Sequence, residues 1–212
     1  MLSIYNKKNS EIEMSNDVVI IGAGHAGGMT AILLRQQDYH GLITLIGEEA
    51  YLPYQRPPLS KGFLAGEMGK ERLYLKTKSY FEKNNIHVIK DKKVLSIDRD
   101  NKNILLDDRK QIEYGKLVVA TGSILNQIKT SCRATNLYYL RTITDALKIQ
   151  QALKDKNKIT IIGAGYIGLE IASIAARKNI NITIIEMEDR VMSRVICPVV
   201  SNFFQKKHEA EG

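Results

Sequence analysis

Two glycine turns are the residues of this sequence with a spacing that could do chemistry. Residues 17–27 read DVVIIGAGHAG and residues 158–168 read KITIIGAGYIG, so G-x-G-x-x-G occurs twice, each time behind an apolar run. Gly22 and Gly163 are placed to make a tight turn, and Gly24 and Gly165 to let the backbone approach a pyrophosphate. Gly27 and Gly168 are placed to let a helix pack close to its strand. A helix starting there presents free N–H groups and the positive end of its dipole, which is a phosphate site. One such turn is weak evidence of dinucleotide binding. Two, each between strand and helix, are strong evidence. His25 occupies a free position of the pattern and reads as a spacer.

A ribose-binding acid belongs about 20 residues beyond each fingerprint. In the second copy Glu186 closes the run ITIIE. A carboxylate there repels a 2′-phosphate, so it favours NADH over NADPH. In the first copy the equivalent residue is Gly47 and the acid arrives one residue later, as Glu48. Spacing alone does not separate a ribose ligand from a surface acid at Glu48.

These turns need strands and helices to position them. The apolar runs are short enough for buried parallel strands. Helical stretches follow, expected at Met29–Gln37 and Glu170–Lys178, and the strands 43–47 and 182–186 close each unit. The fold class is therefore α/β, with two Rossmann-like, three-layer dinucleotide-binding units. Between them lie a helical stretch near residues 77–84, short strands at 86–89, 94–98 and 103–106, and a strand at 117–120. A weakly patterned crossing over 123–135 precedes a helix over 143–153. The expected domains are a disordered extension at 1–15, a first dinucleotide-binding segment at 16–142 and a second dinucleotide-binding domain at 143–212. The second sheet stops after two strands, so an exposed edge and an uncovered apolar face are expected.

Composition narrows the classes. With 212 residues and 44% hydrophobic content the chain can bury one or two modest cores. No apolar run approaches the roughly 18 residues of a membrane span, and the polar first 15 residues lack the apolar stretch of a secretory signal. Met14 is a candidate start. The net charge of +8 is spread over scattered lysines, without a nucleic-acid-binding pattern. It fits a solvated surface or a docking face for an acidic protein. Two distant cysteines, Cys132 and Cys197, exclude a disulfide scaffold or metal pair and fit a reducing cytoplasm.

With the fingerprints placed, residues 17–212 resemble the FAD-dependent, NAD(P)H-oxidising ferredoxin, rubredoxin and putidaredoxin reductases of the pyridine nucleotide-disulfide oxidoreductase superfamily, in their N-terminal half. The segment LPYQRPPLSKGFLAG at 52–66 is the most specific part, joined by LVVATG at 117–122, YLRT at 139–142 and GAGYIGLE at 163–170. The resemblance implies FAD contacts from Gly22, Gly24, Ala26, Gly27, Glu48, Lys61, Val94 and Arg141, with Arg56, Ala120, Thr121 and Gly122 nearby. It implies NAD(P)H contacts, NADH preferred, from Gly163, Gly165, Tyr166, Ile167, Gly168, Glu170 and Glu186. It also implies that Lys61 and Glu170 are the catalytic pair, meeting across the domain boundary at the 2.7–2.9 Å of a charge-assisted hydrogen bond. Electrons would pass from NADH through flavin to an acidic ferredoxin- or rubredoxin-like partner. Neither nucleic acid nor membrane is an expected partner.

The family's disulfide-reducing relatives carry a cysteine pair beside the flavin. PPLSKGFLAG has none, so dithiol chemistry is excluded and flavin-to-protein electron transfer is favoured. Three other readings share the motifs: an NADH oxidase or nitrite-reductase-type flavoprotein, an apoptosis-inducing-factor-like protein, and an inactive nucleotide-binding remnant. The family's later segments have no counterpart here, and the chain is expected to be an N-terminal fragment not competent alone.

Overall fold

The structure, a computed structural model, describes residues 16–129 and 134–212. The expected extension at 1–15, with Met14, and Cys132 lie outside the described residues. The chain divides into two compact units, residues 16–54 with Leu75–Gly122, and Gln55–Tyr74 with Ser123–Gly212.

In the first unit, the strands β1 (Val18–Ile21), β2 (Ile43–Ile46), β3 (Ile86–Ile89) and β7 (Lys116–Val119) form a parallel sheet in the order β3-β2-β1-β7. Its two inner strands, VVII and ITLI, are buried at every residue, as continuous apolar runs require. Alternate side chains feed two cores. Val18 and Ile20 pack with Ala31 and Ile32 of helix α1 (His25–Gln36) and Phe81 of α3 (Lys78–Lys83). Val19 and Ile21 face Ile104, Leu106 and Val94 of an antiparallel sheet, β4 (Val94–Asp98), β5 (Asn103–Leu106) and β6 (Gln111–Glu113). Three layers result. Fully burying an Ile20 or Leu45 contributes about 1.5–3 kcal/mol apiece.

One arginine ties this unit together. Arg35 donates from Nε to Asn84 O at 2.7 Å, from Nη1 to Gly41 O at 2.9 Å and to Tyr39 O, and from Nη2 to Asn85 O at 2.8 Å. It thereby joins the end of α1, the approach to β2 and the turn before β3. Arg35→Met keeps the apolar stem but strips four carbonyls of a charged donor, and should cost about 2–3 kcal/mol. The check is the shift in urea midpoint; a change under about 0.5 kcal/mol, typical of an ordinary surface position, would show these bonds to be dispensable.

In the second unit, β8 (Lys158–Ile162) and β9 (Asn181–Ile185) pair in parallel, flanking helix α5 (Tyr166–Ala176). Helix α4 (Ile143–Ala152) opens on a capping box: Thr142 Oγ1 accepts from Asp145 N, and Asp145 accepts from Thr142 N and Arg141 N. The short helix α2 (Gly62–Ala65) buries Leu64 against Ile149, Leu153 and Ile174, which is why residues 55–74 belong to this unit. Helix α6 (Pro198–Ala210) starts at Cys197 with proline in its first turn. The outer face of β8 and β9 is uncovered, with Ile162 60% and Ile185 53% exposed.

Both glycine-turn helices begin earlier than expected, at His25 and Tyr166 rather than Met29 and Glu170. The third glycine of each fingerprint lies inside the first helical turn. A reading that treats Gly27 and Gly168 as breakers places the start too late.

Candidate functional site

Each glycine turn has the geometry of a phosphate cradle. Gly22 has φ +110°, which side-chain-bearing residues rarely adopt, and a Cβ there would lie 2.2 Å from Ala120 O. Gly22 N donates to Ile46 O at 2.8 Å, fixing the turn to β2. A Cβ on Gly27 would lie 1.9 Å from Gly22 O, so the helix can fold back on its own turn only with glycine there. Gly24 differs: a Cβ would meet nothing within 4 Å. It is the N-cap of α1 and no side chain caps that helix, which leaves its first N–H groups for a ligand. The second turn repeats this in part: Gly163 N donates to Ile185 O at 2.8 Å, but a Cβ on Gly163 would meet nothing within 4 Å. Gly163 has φ +102°, Gly168 presses on Gly163 O with 2.1 Å for a Cβ, and Gly165 is an open, uncapped N-cap.

Around the first turn the structure gathers several expected residues. Ala120 N donates to Ile21 O at 2.8 Å, bringing Ala120, Thr121 and Gly122 to the turn. Ala26 is exposed in the first turn of α1, beside exposed His25. Gly47 is buried, and a Cβ there would lie 2.5 Å from Ala23 Cβ, so the acid cannot occupy that position and falls to Glu48. Glu48 is exposed and pairs with Lys93 at 3.4 Å. Val94 starts β4 and packs in the core between the sheets.

The second turn carries its acid differently. Glu186 Oε2 accepts from Ala164 N at 2.6 Å, and Oε1 accepts from Met187 N at 2.8 Å and Glu188 N at 3.1 Å. The Ala164 bond, then that from Glu188, holds this carboxyl below its ordinary range. An ionised carboxylate has about four lone-pair sites, so one on Oε2 remains for a hydroxyl. Tyr166 and Ile167, at the start of α5, are each about half exposed.

The remaining expected residues meet within the second unit, not across a boundary between units. Pro57 and Pro58 open a one-turn helix over Pro57–Ser60 that delivers Ser60 and Lys61 in sequence. Lys61 Nζ lies 2.8 Å from Glu170 Oε1 and 3.4 Å from Pro57 O. Glu170 Oε2 accepts from the buried hydroxyl of Ser60 at 2.5 Å. Arg56 Nη1 donates to Arg141 O at 2.5 Å. Gln150 Nε2 donates to Phe63 O at 3.1 Å and Arg177 pairs with Glu67 at 3.1 Å, anchoring α2 just behind Lys61. Ser60 and Gln150 escaped the sequence reading. Ser60 lies inside the RPPLSK element, yet nothing in one sequence shows which of its neighbours grips a residue 110 positions away.

Residues 16–212 match the family model described as pyridine nucleotide-disulphide oxidoreductase. The chain belongs to that family. It is 37% identical to putidaredoxin reductase CamA of Pseudomonas putida over 202 residues, which is 93% of this chain and 48% of that protein. It is 38% identical to a rubredoxin-NAD(+) reductase of Pseudomonas putida, over 92% of this chain and 51% of that one. The solved structure of a covalent putidaredoxin reductase–putidaredoxin complex matches at TM-score 0.89 and 38% identity, covering 92% of this chain and 48% of the other. The chain thus spans about half the length of the curated relatives it matches. Family members are NAD(P)H-dependent flavoprotein oxidoreductases, as the resemblance implied. Among the described residues no helix is long and apolar enough to cross a membrane, and no cluster of three or more His, Cys, Asp or Glu could hold a metal.

Proposed function

We propose that this chain carries the FAD- and NADH-binding part of a reductase that passes electrons from NADH through flavin to a small iron–sulfur protein or rubredoxin. The carrying observation is the pair of uncapped helix N-termini behind Gly24 and Gly165, each with open space where a pyrophosphate would lie. The named relatives, a putidaredoxin and a rubredoxin reductase, supply the acceptor class. Residues 16–142 are assigned to the FAD side and 143–212 to the NAD side. The net charge of +8 suits an acidic partner, and a cytoplasmic setting fits the cysteine usage.

The residues present fit both dinucleotides. Gly22, Gly24, Ala26 and Gly27, with Glu48, Val94 and Ala120–Gly122, would hold FAD in the first unit, and Arg56, Lys61 and Arg141 are the flavin contacts that the family resemblance implies. Gly163, Gly165, Tyr166, Ile167, Gly168 and Glu186 would hold NADH, with Glu170 beside it. Bound flavin supplies the redox chemistry, taking hydride from NADH and releasing electrons singly. Lys61 and Glu170 are the catalytic pair: Glu170 keeps the lysine in place, and the fixed ammonium balances negative charge as it develops.

FAD titration of the 212 residues, followed by anaerobic addition of NADH, tests this. Weak flavin binding is expected, because pockets bury about 70–90% of such a ligand and about half of each relative's length lies beyond this chain. The bound flavin should bleach with NADH, about 100-fold more slowly in Lys61→Met. No flavin uptake at any concentration, or bleaching indifferent to Lys61→Met, defeats the reading. The exposed face of β8 and β9 favours one alternative, a remnant that binds dinucleotide without turnover. NADH binding with no bleaching would single it out.

A further inference from the structure

The buried hydroxyl of Ser60 has no role in the cofactor contacts above, although it makes the tightest contact Glu170 has. Ser60 is 5% exposed, at the end of the Pro57–Ser60 turn, and its Oγ reaches Glu170 Oε2 at 2.5 Å while Pro57 O lies at 3.4 Å. The two carboxylate oxygens are thereby divided. Oε2 goes to the buried hydroxyl and Oε1 to the Lys61 ammonium at 2.8 Å. The Lys61 side chain is 55% exposed and Glu170 28%, so the ion pair alone is a half-solvated contact between two long, flexible chains. Such pairs hold poorly by themselves, because fixing both side chains costs entropy and water competes for each charge. A buried hydroxyl on a proline-stiffened turn is already immobile. It can fix the carboxylate at little further entropic cost.

We propose that Ser60 is a positioning residue: its hydroxyl locks the Glu170 carboxylate so that Lys61 is held at one place and orientation. The inference rests on the reading of Lys61 and Glu170 as the catalytic pair, and adds the residue that aims them. The adjacency explains why the serine directly precedes the lysine. One turn of 3₁₀ helix presents the hydroxyl inward and the ammonium outward onto the same carboxylate.

The test needs no cofactor. The 212-residue chain is acetylated with a limiting amine-reactive ester, and Lys61 modification is followed by mass spectrometry against Lys178, an exposed lysine on the same unit. With the pair loosened, Lys61 should react faster in Ser60→Ala by up to about fivefold, the range that an exposed ion pair supports, while Lys178 is unchanged. Glu170→Gln should raise Lys61 reactivity similarly, and adding Ser60→Ala to it should then change nothing, because the serine acts only through the carboxylate. A local unfolding caused by the alanine would instead raise both lysines, and would do so in the Glu170→Gln background as well. Unchanged Lys61 reactivity in Ser60→Ala, or additive effects in the double variant, overturns the proposal. A positive result in a chain that never takes up FAD leaves the positioning role standing and defeats the reductase reading, so the two failures are distinct.

Discussion

Gly27→Ala is expected to destabilise the first unit by about 3 kcal/mol or more, although alanine is the better helix former. Propensity favours the substitution by about 1 kcal/mol. Packing opposes it, because the new Cβ would lie 1.9 Å from Gly22 O and 3.2 Å from Ile20 Cγ2, and the first of these atoms is backbone. Relief requires the first turn of α1 to lift from β1, which opens the core of Val18, Ile20, Ala31 and Ile32. Overpacking a tight core costs about 1–3 kcal/mol, and losing apolar contacts as the helix lifts adds to that. Gly24→Ala is the contrast. Its Cβ meets nothing within 4 Å and its φ of −78° suits alanine, so stability should change by less than about 1 kcal/mol. The methyl would instead occupy the open space over the helix N-terminus and should weaken FAD binding by about tenfold or more, a cost of about 1.4 kcal/mol. Urea midpoints and flavin titrations on the two variants should therefore give opposite patterns. If Gly24→Ala unfolds the unit, or leaves flavin binding intact, the assignment of roles within the fingerprint is wrong.

The parts of this architecture that were legible in the sequence are those in which local pattern and burial coincide. The strands 86–89, 94–98 and 103–106 were expected at the bounds observed, since each is an apolar run closed by turn residues. Both fingerprints emerged because glycine is the residue that fits there: Gly22 and Gly163 take positive φ, and a Cβ on Gly27 or Gly168 would collide with the Gly22 or Gly163 carbonyl. Elements decided by distant contacts were not legible. The three residues of β6 have too little pattern to register, and they are a strand because β5 pairs with them. Helix α2 is four residues long, below any periodic signal, and exists because Leu64 is buried against Ile149 and Ile174. The pairing of Lys61 with Glu170 came from family resemblance rather than spacing. Ser60 was invisible for the same physical reason, because the bond that matters spans 110 positions.

The NADH preference should collapse on replacing Glu186, and the structure says how to separate its two causes. Glu186 accepts three backbone N–H bonds, from Ala164, Met187 and Glu188. A glutamine can satisfy the Met187 and Glu188 donors or the Ala164 donor with its oxygen, but its amide nitrogen must then face an N–H on the other side. Glu186→Gln should therefore loosen the glycine turn and weaken NADH and NADPH alike. The ratio of their dissociation constants removes that shared loss and isolates the 2′-phosphate. A like-charge contact costs several kcal/mol, so the unmodified chain should favour NADH by about 100-fold. Glu186→Gln should bring the ratio to within about tenfold of parity, and Glu186→Arg should reverse it by supplying a cation. Acidity adds an independent check. The folded-state pKa lies below the ordinary 4.5, chiefly through the Ala164 bond. The carboxylate thus stays charged, and its contribution is lost only as pH falls through that depressed value. The 2′-phosphate, with a second pKa of about 6, loses one of its two charges between about pH 7 and about pH 5, so the preference should shrink over that range without vanishing, because Glu186 stays ionised throughout. A ratio near unity in the unmodified chain would remove Glu186 from the ribose site. A preference that vanishes entirely by about pH 5 would show that the Glu186 carboxylate does not carry it.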